Sequence, residues 1–120
     1  MQLRELAEYL PINIDEALEE RFMESEKLYI RFLRKLLVSE EFNALKRCVQ
    51  EAAWGEALRL AHNLKGVCAN LGLWQLSEDF AAIVKLLRSE NYTAEAIKQR
   101  LHFAEDEWTK TLHYIGALTV

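Results

Sequence analysis

Apolar residues recur every three to four positions along most of this chain, which is the spacing of one face of an α-helix. In the first half, two stretches repeat in this way, over residues 28–37 and 42–52. Ser25 can cap the first stretch, and Ser39 can begin the second. We therefore expect one long, kinked helical arm in this part of the chain.

The second half predicts three further amphipathic helices. The first runs from about Trp54 to Leu71, with Gly55 marking the turn before it and Gly72 fitting its C-terminal stop. Thr93 can cap the last helix. The inward positions of the middle helix are Leu76, Phe80, Ile83, Val84 and Leu87, and those of the last helix are Ile97, Leu101, Ala104, Trp108, Leu112 and Ile115.

Shorter segments precede the arm. Pro11 separates residues 3–10 from the rest, and Asp15 can cap a short helix that runs to about Met23. The chain contains no recognisable strand pair, hairpin turn or internal repeat. Four long amphipathic helices joined by short loops form an antiparallel up-down-up-down bundle. We predict this all-α four-helix bundle as a single domain over residues 1–120, with short N-terminal helices capping one end.

The helix predicted between Trp54 and Leu71 carries a histidine on the side away from its apolar stripe. With Leu64 at the centre of a helical wheel, the stripe lies within about 60° and His62 lies about 160° away. The stripe consists of Ala57, Leu60, Ala61, Leu64, Val67, Cys68 and Leu71. A histidine opposite the stripe adds nothing to the core, so its role is expected to lie outside the fold.

Small residues surround this histidine on the exposed face, where Gly55, Gly66 and Ala69 share its side of the wheel. A glycine inside a helix costs about 1 kcal/mol relative to alanine. Three explanations for Gly66 stay open. The glycine is incidental, or a neighbouring helix of the same molecule approaches it closely, or an external partner does so.

Composition narrows the class of function. A chain of 120 residues that is 51% hydrophobic can bury the core of one domain. Its net charge of −4 argues against a nucleic-acid-binding face. No apolar run is long enough to span a membrane and no signal-peptide core is present, so we expect a cytoplasmic protein. Cys48 and Cys68 lack metal-ligand spacing and are interpreted as small apolar residues.

Four roles for His62 can be compared. A metal ligand needs partners, but His102 and His113 are distant along the chain and form no i, i+4 pair. A general base needs a nucleophile and a pocket. A surface histidine without a role is ordinary. Phosphoryl acceptance fits best, because neutral imidazole is a nucleophile near pH 7 and an exposed ring nitrogen can attack phosphorus in line.

Two cations flank His62 on the same helix. Lys65 follows it by three residues and Arg59 precedes it by three, so both can offset the charge of a phosphoryl group. Considered alone, each is more simply interpreted as a solvated side chain. Leu58 and Ala69 are further candidates for contact with a partner.

The run His62-Asn63-Leu64-Lys65-Gly66, followed by Asn70-Leu71-Gly72, resembles the signature of histidine-containing phosphotransfer (HPt) domains. The order of the upstream helices is also similar to that family. Val67-Cys68-Ala69 departs from the Ser-Ala-Gly of many members, which predicts altered local packing rather than lost function. The resemblance implies a four-helix bundle in which His62 is phosphorylated and Lys65 and Gly66 support it.

The resemblance also implies a phosphoryl carrier rather than an enzyme. Such domains relay a phosphoryl group between aspartates of receiver domains in multistep two-component signalling. The partner receiver and its Mg²⁺ supply most of the catalysis, so no cofactor is expected on this chain. A hybrid histidine kinase is a candidate partner, and a monomer is expected. Two alternatives stay open, the phosphoacceptor domain of a chemotaxis-type histidine kinase and a non-catalytic helical adaptor that binds a receiver domain.

Overall fold

The computed structural model describes residues 1–119, and this part of the chain contains α-helices, 3₁₀ helices and turns but no strand. The predicted all-α class is therefore confirmed. Two 3₁₀ helices lie at Leu3–Glu8 and Leu36–Val38. The α-helices are α1 (Ile14–Arg21), α2 (Glu26–Lys35), α3 (Glu41–Gln50), α4 (Trp54–Asn70), α5 (Trp74–Arg88) and α6 (Ala94–Gly116).

Polar side chains cap three of these helices. Ser25 and Thr93 cap α2 and α6 as predicted, each accepting a backbone N–H from the first turn. The predicted cap of α1 is wrong, because Asn13 rather than Asp15 accepts the N–H of the first turn. Asp15 instead lies inside that turn, where its negative charge suits the positive end of the helix and its carboxylate pairs with Arg4 at 2.7 Å.

The turn between α3 and α4 is made by an alanine. Ala52 has a left-handed backbone with φ of 56°, and its N–H donates to the carbonyl of Val49 at 3.2 Å. The N–H of Ala53 donates to the carbonyl of Cys48 at 2.8 Å, which completes a helix stop normally built on glycine. The prediction that Gly55 marks this turn is wrong, since Gly55 lies in the first turn of α4.

Much of the core lies where α3, α4, α5 and α6 meet, since α4 packs on α3 and α5, and α6 packs on α3 and α5. The N-terminal segment, α1 and α2 add further buried residues to the same cluster. Phe42 of α3 stacks on Trp108 of α6 with ring centroids 5.1 Å apart, and Phe80 of α5 meets both rings edge-on. The inward positions predicted for α5 are all buried. Those predicted for α6 are buried except Leu101 and Leu112, which are half-buried.

The N-terminal segment is tied to the C-terminal ends of α4 and α6. The N–H of Asn13 donates to the carbonyl of Gly72, just past α4, at 2.8 Å. The Met1 amine donates to the carbonyl of Ala117, and the Met1 carbonyl accepts the N–H of Thr119, each at 2.9 Å. None of the helices in residues 1–119 combines the length and apolar character required to cross a membrane.

Candidate functional site

The middle of α4 presents His62 to solvent. The inner side of this helix is buried through Ala57, Leu60, Ala61, Leu64 and Cys68. His62 lies on the opposite, exposed side, as the helical wheel predicts. Burial raises the pKa of the Cys68 thiol to about 12, so this thiol stays protonated at neutral pH, in agreement with its interpretation as a small apolar residue.

The C-terminal end of α4 is held by a glycine in a crowded place. Gly72 has φ of 74°, and its N–H donates to the carbonyl of Ala69 at 3.1 Å. The N–H of Leu73 donates to the carbonyl of Cys68 at 3.0 Å, which forms the predicted glycine stop. A Cβ added to Gly72 would lie 2.5 Å from the backbone oxygen of Asn13, so glycine is required by the packing as well as by φ.

A buried tyrosine fixes the same end of α4 to α2. The hydroxyl of Tyr29, which is fully buried, donates to the carbonyl of Leu71 at 2.5 Å. Burial also raises the pKa of Tyr29 above its ordinary value, so the hydroxyl keeps its proton and remains a donor. The helix that carries His62 is thus anchored at its end by a backbone turn and by a side-chain bond.

The space around Gly66 is open. A Cβ added to Gly66 would meet no atom within 4 Å. This excludes one of the three explanations that the sequence left open, namely the close approach of a neighbouring helix within residues 1–119. An incidental glycine and an external partner remain.

The two cations flanking His62 differ in their surroundings. Lys65 is half-buried and forms no ion pair within residues 1–119, and its backbone carbonyl accepts the Ser77 hydroxyl of α5 at 3.1 Å. Arg59 is already engaged, because its Nε donates to Oε1 of Glu56 at 3.0 Å and its Nη2 donates to the same oxygen. Lys65 is therefore the cation available to a group placed on His62.

The candidate partner contacts are only partly exposed. Arg59 and Ala69 lie on the surface. Leu58, interpreted from the wheel as an exposed apolar contact, is half-buried and packs against the core. The prediction that Val67 belongs to the buried stripe is wrong, because 40% of this residue is exposed. The wheel places Val67 at the edge of the stripe, and within residues 1–119 that edge is left partly uncovered.

Val67 instead lines a groove between α2 and α4. The groove has a volume of about 500 Å³, and its apolar wall consists of Phe22, Leu28, Phe32, Leu36, Leu64, Val67 and Leu71. Arg21, Lys35 and Glu41 add charges to its lining. A wheel treats one helix at a time, so the sequence could not show a groove whose two walls lie on helices far apart in the chain.

The other two histidines lie on α6, away from this helix. His102 approaches Asp106 at 3.7 Å, and the ring of His113 meets Tyr114 edge-on at 5.0 Å. Within residues 1–119 no group of three or more His, Cys, Asp or Glu side chains is placed to hold a metal ion.

Comparisons with known proteins give one match. A family model described as Hpt domain matches residues 13–113, a range that runs from the N-cap of α1 into the last turns of α6. A search of curated proteins and a search of solved structures gave no match. The matched range includes His62, Lys65 and Gly66.

Proposed function

The chain belongs to the Hpt domain family, whose model matches residues 13–113, and we propose that His62 is the residue on which it carries a phosphoryl group. Hpt domains are phosphocarrier modules of two-component signalling and interact with receiver domains. We propose further that His62 accepts the phosphoryl group from the phosphoaspartate of one receiver domain and passes it to the aspartate of another.

The observation that carries this proposal is the open space beside an exposed histidine. His62 is exposed in the middle of a well-packed helix, and the neighbouring Gly66 has nothing within 4 Å of the place where a side chain would begin. In-line transfer needs the phosphoaspartate to approach the imidazole closely. A bare helix surface beside His62 lets the backbone loops of a partner come that near.

The transfer step uses His62 and Lys65 of this chain together with groups of the partner receiver. The lone pair of the unprotonated ring nitrogen of His62 attacks phosphorus, an N–P bond forms, and the P–O bond to the aspartate breaks with the carboxylate as leaving group. Lys65, which has no ion pair within residues 1–119, offsets the added negative charge. We propose that the receiver contributes Mg²⁺ and that this chain holds no cofactor of its own.

The groove between α2 and α4 is proposed as part of the docking surface for the receiver. It opens along the C-terminal half of α4, beginning two residues beyond His62 at Leu64, and exposes Phe32 and Val67. Exposed apolar side chains rimmed by charges are the usual composition of such surfaces. We further propose that the arm of α2 and α3 forms one up-down-up-down bundle with α4, α5 and α6, within a monomeric, cytoplasmic, single-domain protein.

The proposal is tested by mixing the protein with a phosphorylated receiver domain. Acid-labile phosphate should appear on the wild-type protein and on His102→Gln, and it should be absent from His62→Gln. Urea unfolding of all three proteins checks that the fold is intact. Persistence of the label on His62→Gln would overturn the assignment.

The same labelling assay, repeated with a kinase domain and ATP as a second donor, tests the two alternatives to a phosphorelay intermediate. Tight binding of phosphorylated receivers without any transfer would identify a non-catalytic adaptor. Labelling by a kinase domain with ATP, but never by a receiver, would identify the phosphoacceptor domain of a chemotaxis-type kinase.

A further inference from the structure

An ion pair lies one turn before His62 on the same exposed side of α4. Glu56, Arg59 and His62 follow one another at intervals of three residues, so each side chain is a neighbour of the next on the helix surface. The Arg59 guanidinium donates from both Nε and Nη2 to Oε1 of Glu56. Arg59 therefore stands between an existing anion and the site where a second anion is proposed to form.

This ion pair is exposed and can exchange partners. The side chains of Arg59 and Glu56 are 61% and 49% exposed, and ion pairs in such positions are weak because water competes for both charges. The hydrogen bond and the charge of Glu56 raise the pKa of Arg59, and Glu41 and Cys48 of α3 add to the effect. The acidic surroundings of Arg59 are thus dominated by Glu56, the residue that holds its guanidinium.

A phosphoryl group on His62 would be the stronger partner for this guanidinium. It presents three acceptor oxygens and more negative charge than one carboxylate, and arginine binds such groups in a bidentate way. While Arg59 remains on Glu56, its positive charge is largely offset, whereas Lys65, three residues after His62, forms no ion pair within residues 1–119. The hydrogen bonds and the charge attraction that keep Arg59 on Glu56 therefore make the phosphohistidine less stable.

We propose that Glu56 sets the stability of the phosphohistidine at His62 by competing with the phosphoryl group for Arg59. The inference rests on the proposed function, because it assumes that His62 accepts the group. On phosphorylation Arg59 moves from Glu56 to the phosphoryl oxygens, and Glu56 is left solvated. Glu56 thereby acts as a positioning residue that makes the phosphoryl group easier to pass on.

The test uses phosphoramidate, a small phosphoryl donor, in place of a receiver. Its P–N bond breaks, an N–P bond to the imidazole forms, and ammonia leaves. At a fixed ratio of phosphoramidate to ammonium, ³¹P NMR measures the equilibrium constant for phosphorylation of His62. Glu56→Gln should raise this constant about two- to fivefold at low salt and by less at high salt. Asp106→Asn on α6 removes the same charge and should leave it unchanged.

A double-mutant cycle shows whether Glu56 acts through Arg59. The effect of Glu56→Gln should disappear when Arg59 is already Gln, and the ¹⁵Nε resonance of Arg59 should shift when His62 is phosphorylated. An equal effect in both backgrounds would show plain charge repulsion by Glu56 and overturn the proposal, as would no effect in the wild-type background. If His62 labels normally in either case, the proposed function stands. A wild-type protein that never labels at His62 would overturn both.

Discussion

Gly66 and Gly72, the last residues of the two runs that form the family signature, lie in opposite environments. Gly72 has a left-handed backbone, and a Cβ there would lie 2.5 Å from the carbonyl oxygen of Asn13. Gly66 is helical, and a Cβ there would meet nothing within 4 Å. The fold therefore accounts fully for one glycine and not at all for the other. A residue that weakens its helix without serving the packing of residues 1–119 is either incidental or required by an external partner.

The same contrast extends to the surroundings of the two glycines. The end of α4 near Gly72 is locked by the Tyr29 hydroxyl and by the N–H of Asn13. The middle of α4 near Gly66 presents His62 to solvent. One helix thus combines an anchored end with an open surface, and the anchor holds the open surface in a fixed orientation. Substitutions at Gly72 and at Gly66 should therefore separate stability from phosphotransfer.

The largest expected effect is at Gly72. Gly72→Ala should lower the free energy of unfolding by about 2–4 kcal/mol, because the methyl group meets the backbone of Asn13 and alanine disfavours the left-handed conformation. Urea unfolding measures the loss. A change below about 0.5 kcal/mol, the size usual for surface substitutions, would show that the turn is not as constrained as described.

A smaller loss is expected from the tyrosine anchor of the same end. Tyr29→Phe should destabilise the protein by about 1–2 kcal/mol, because the carbonyl of Leu71 loses its buried donor while the ring packing is retained. The comparison with Tyr92→Phe, which removes a hydroxyl that takes part in no described hydrogen bond, isolates the contribution of the bond. Equal stabilities of the two variants would contradict the anchoring role.

Substitution of Gly66 by alanine should raise the stability of the protein, whereas the substitutions at Gly72 and Tyr29 should lower it. Gly66→Ala should stabilise the protein by about 1 kcal/mol, since the helix gains a better helix former and nothing is displaced. Gly66→Gln should not destabilise the fold but should slow transfer from a phosphorylated receiver by obstructing close approach. Stopped-flow transfer rates and urea unfolding are measured on the same samples. Unchanged transfer in Gly66→Gln would leave the incidental explanation of this glycine.

The smallest effect is expected at the turn before α4, where alanine occupies the position that glycine takes at Gly72. Ala52→Gly should stabilise the protein by about 0.5–1 kcal/mol, because relief of the left-handed strain at φ of 56° exceeds the entropy cost of glycine. Thermal unfolding measures the gain. A loss of stability would show that Ala52 makes contacts that compensate for its backbone conformation.

Much of the fold follows from local rules that need only one helix at a time. The caps at Ser25 and Thr93, the stop at Gly72 and the buried positions of α5 all depend on short-range periodicity and hydrogen bonding. The sequence places the turn before α4 at Gly55, because glycine is the usual residue at a helix stop, whereas in the structure Ala52 occupies the left-handed position.

The candidate site also combines features that follow from a single helix with features that do not. The exposure of His62 follows from the wheel, since it depends only on the face that α4 turns to the core. The helical wheel does not predict the groove beside Val67 or the ion pair between Arg59 and Glu56. The groove depends on how α2 and α4 pack, and the ion pair depends on the conformations that two exposed side chains adopt.

The central claim, that the open face of α4 exists to present one particular imidazole for phosphorylation, can be tested on all three histidines of the chain at once. Long-range ¹H–¹⁵N correlation spectra of the protein, recorded before and after incubation with a phosphorylated receiver domain, report on the ring nitrogens of His62, His102 and His113 separately. The account predicts that a ring nitrogen of His62 alone shifts to the phosphorylated position. Phosphorylation of His102 or His113, or no change at His62, would contradict it.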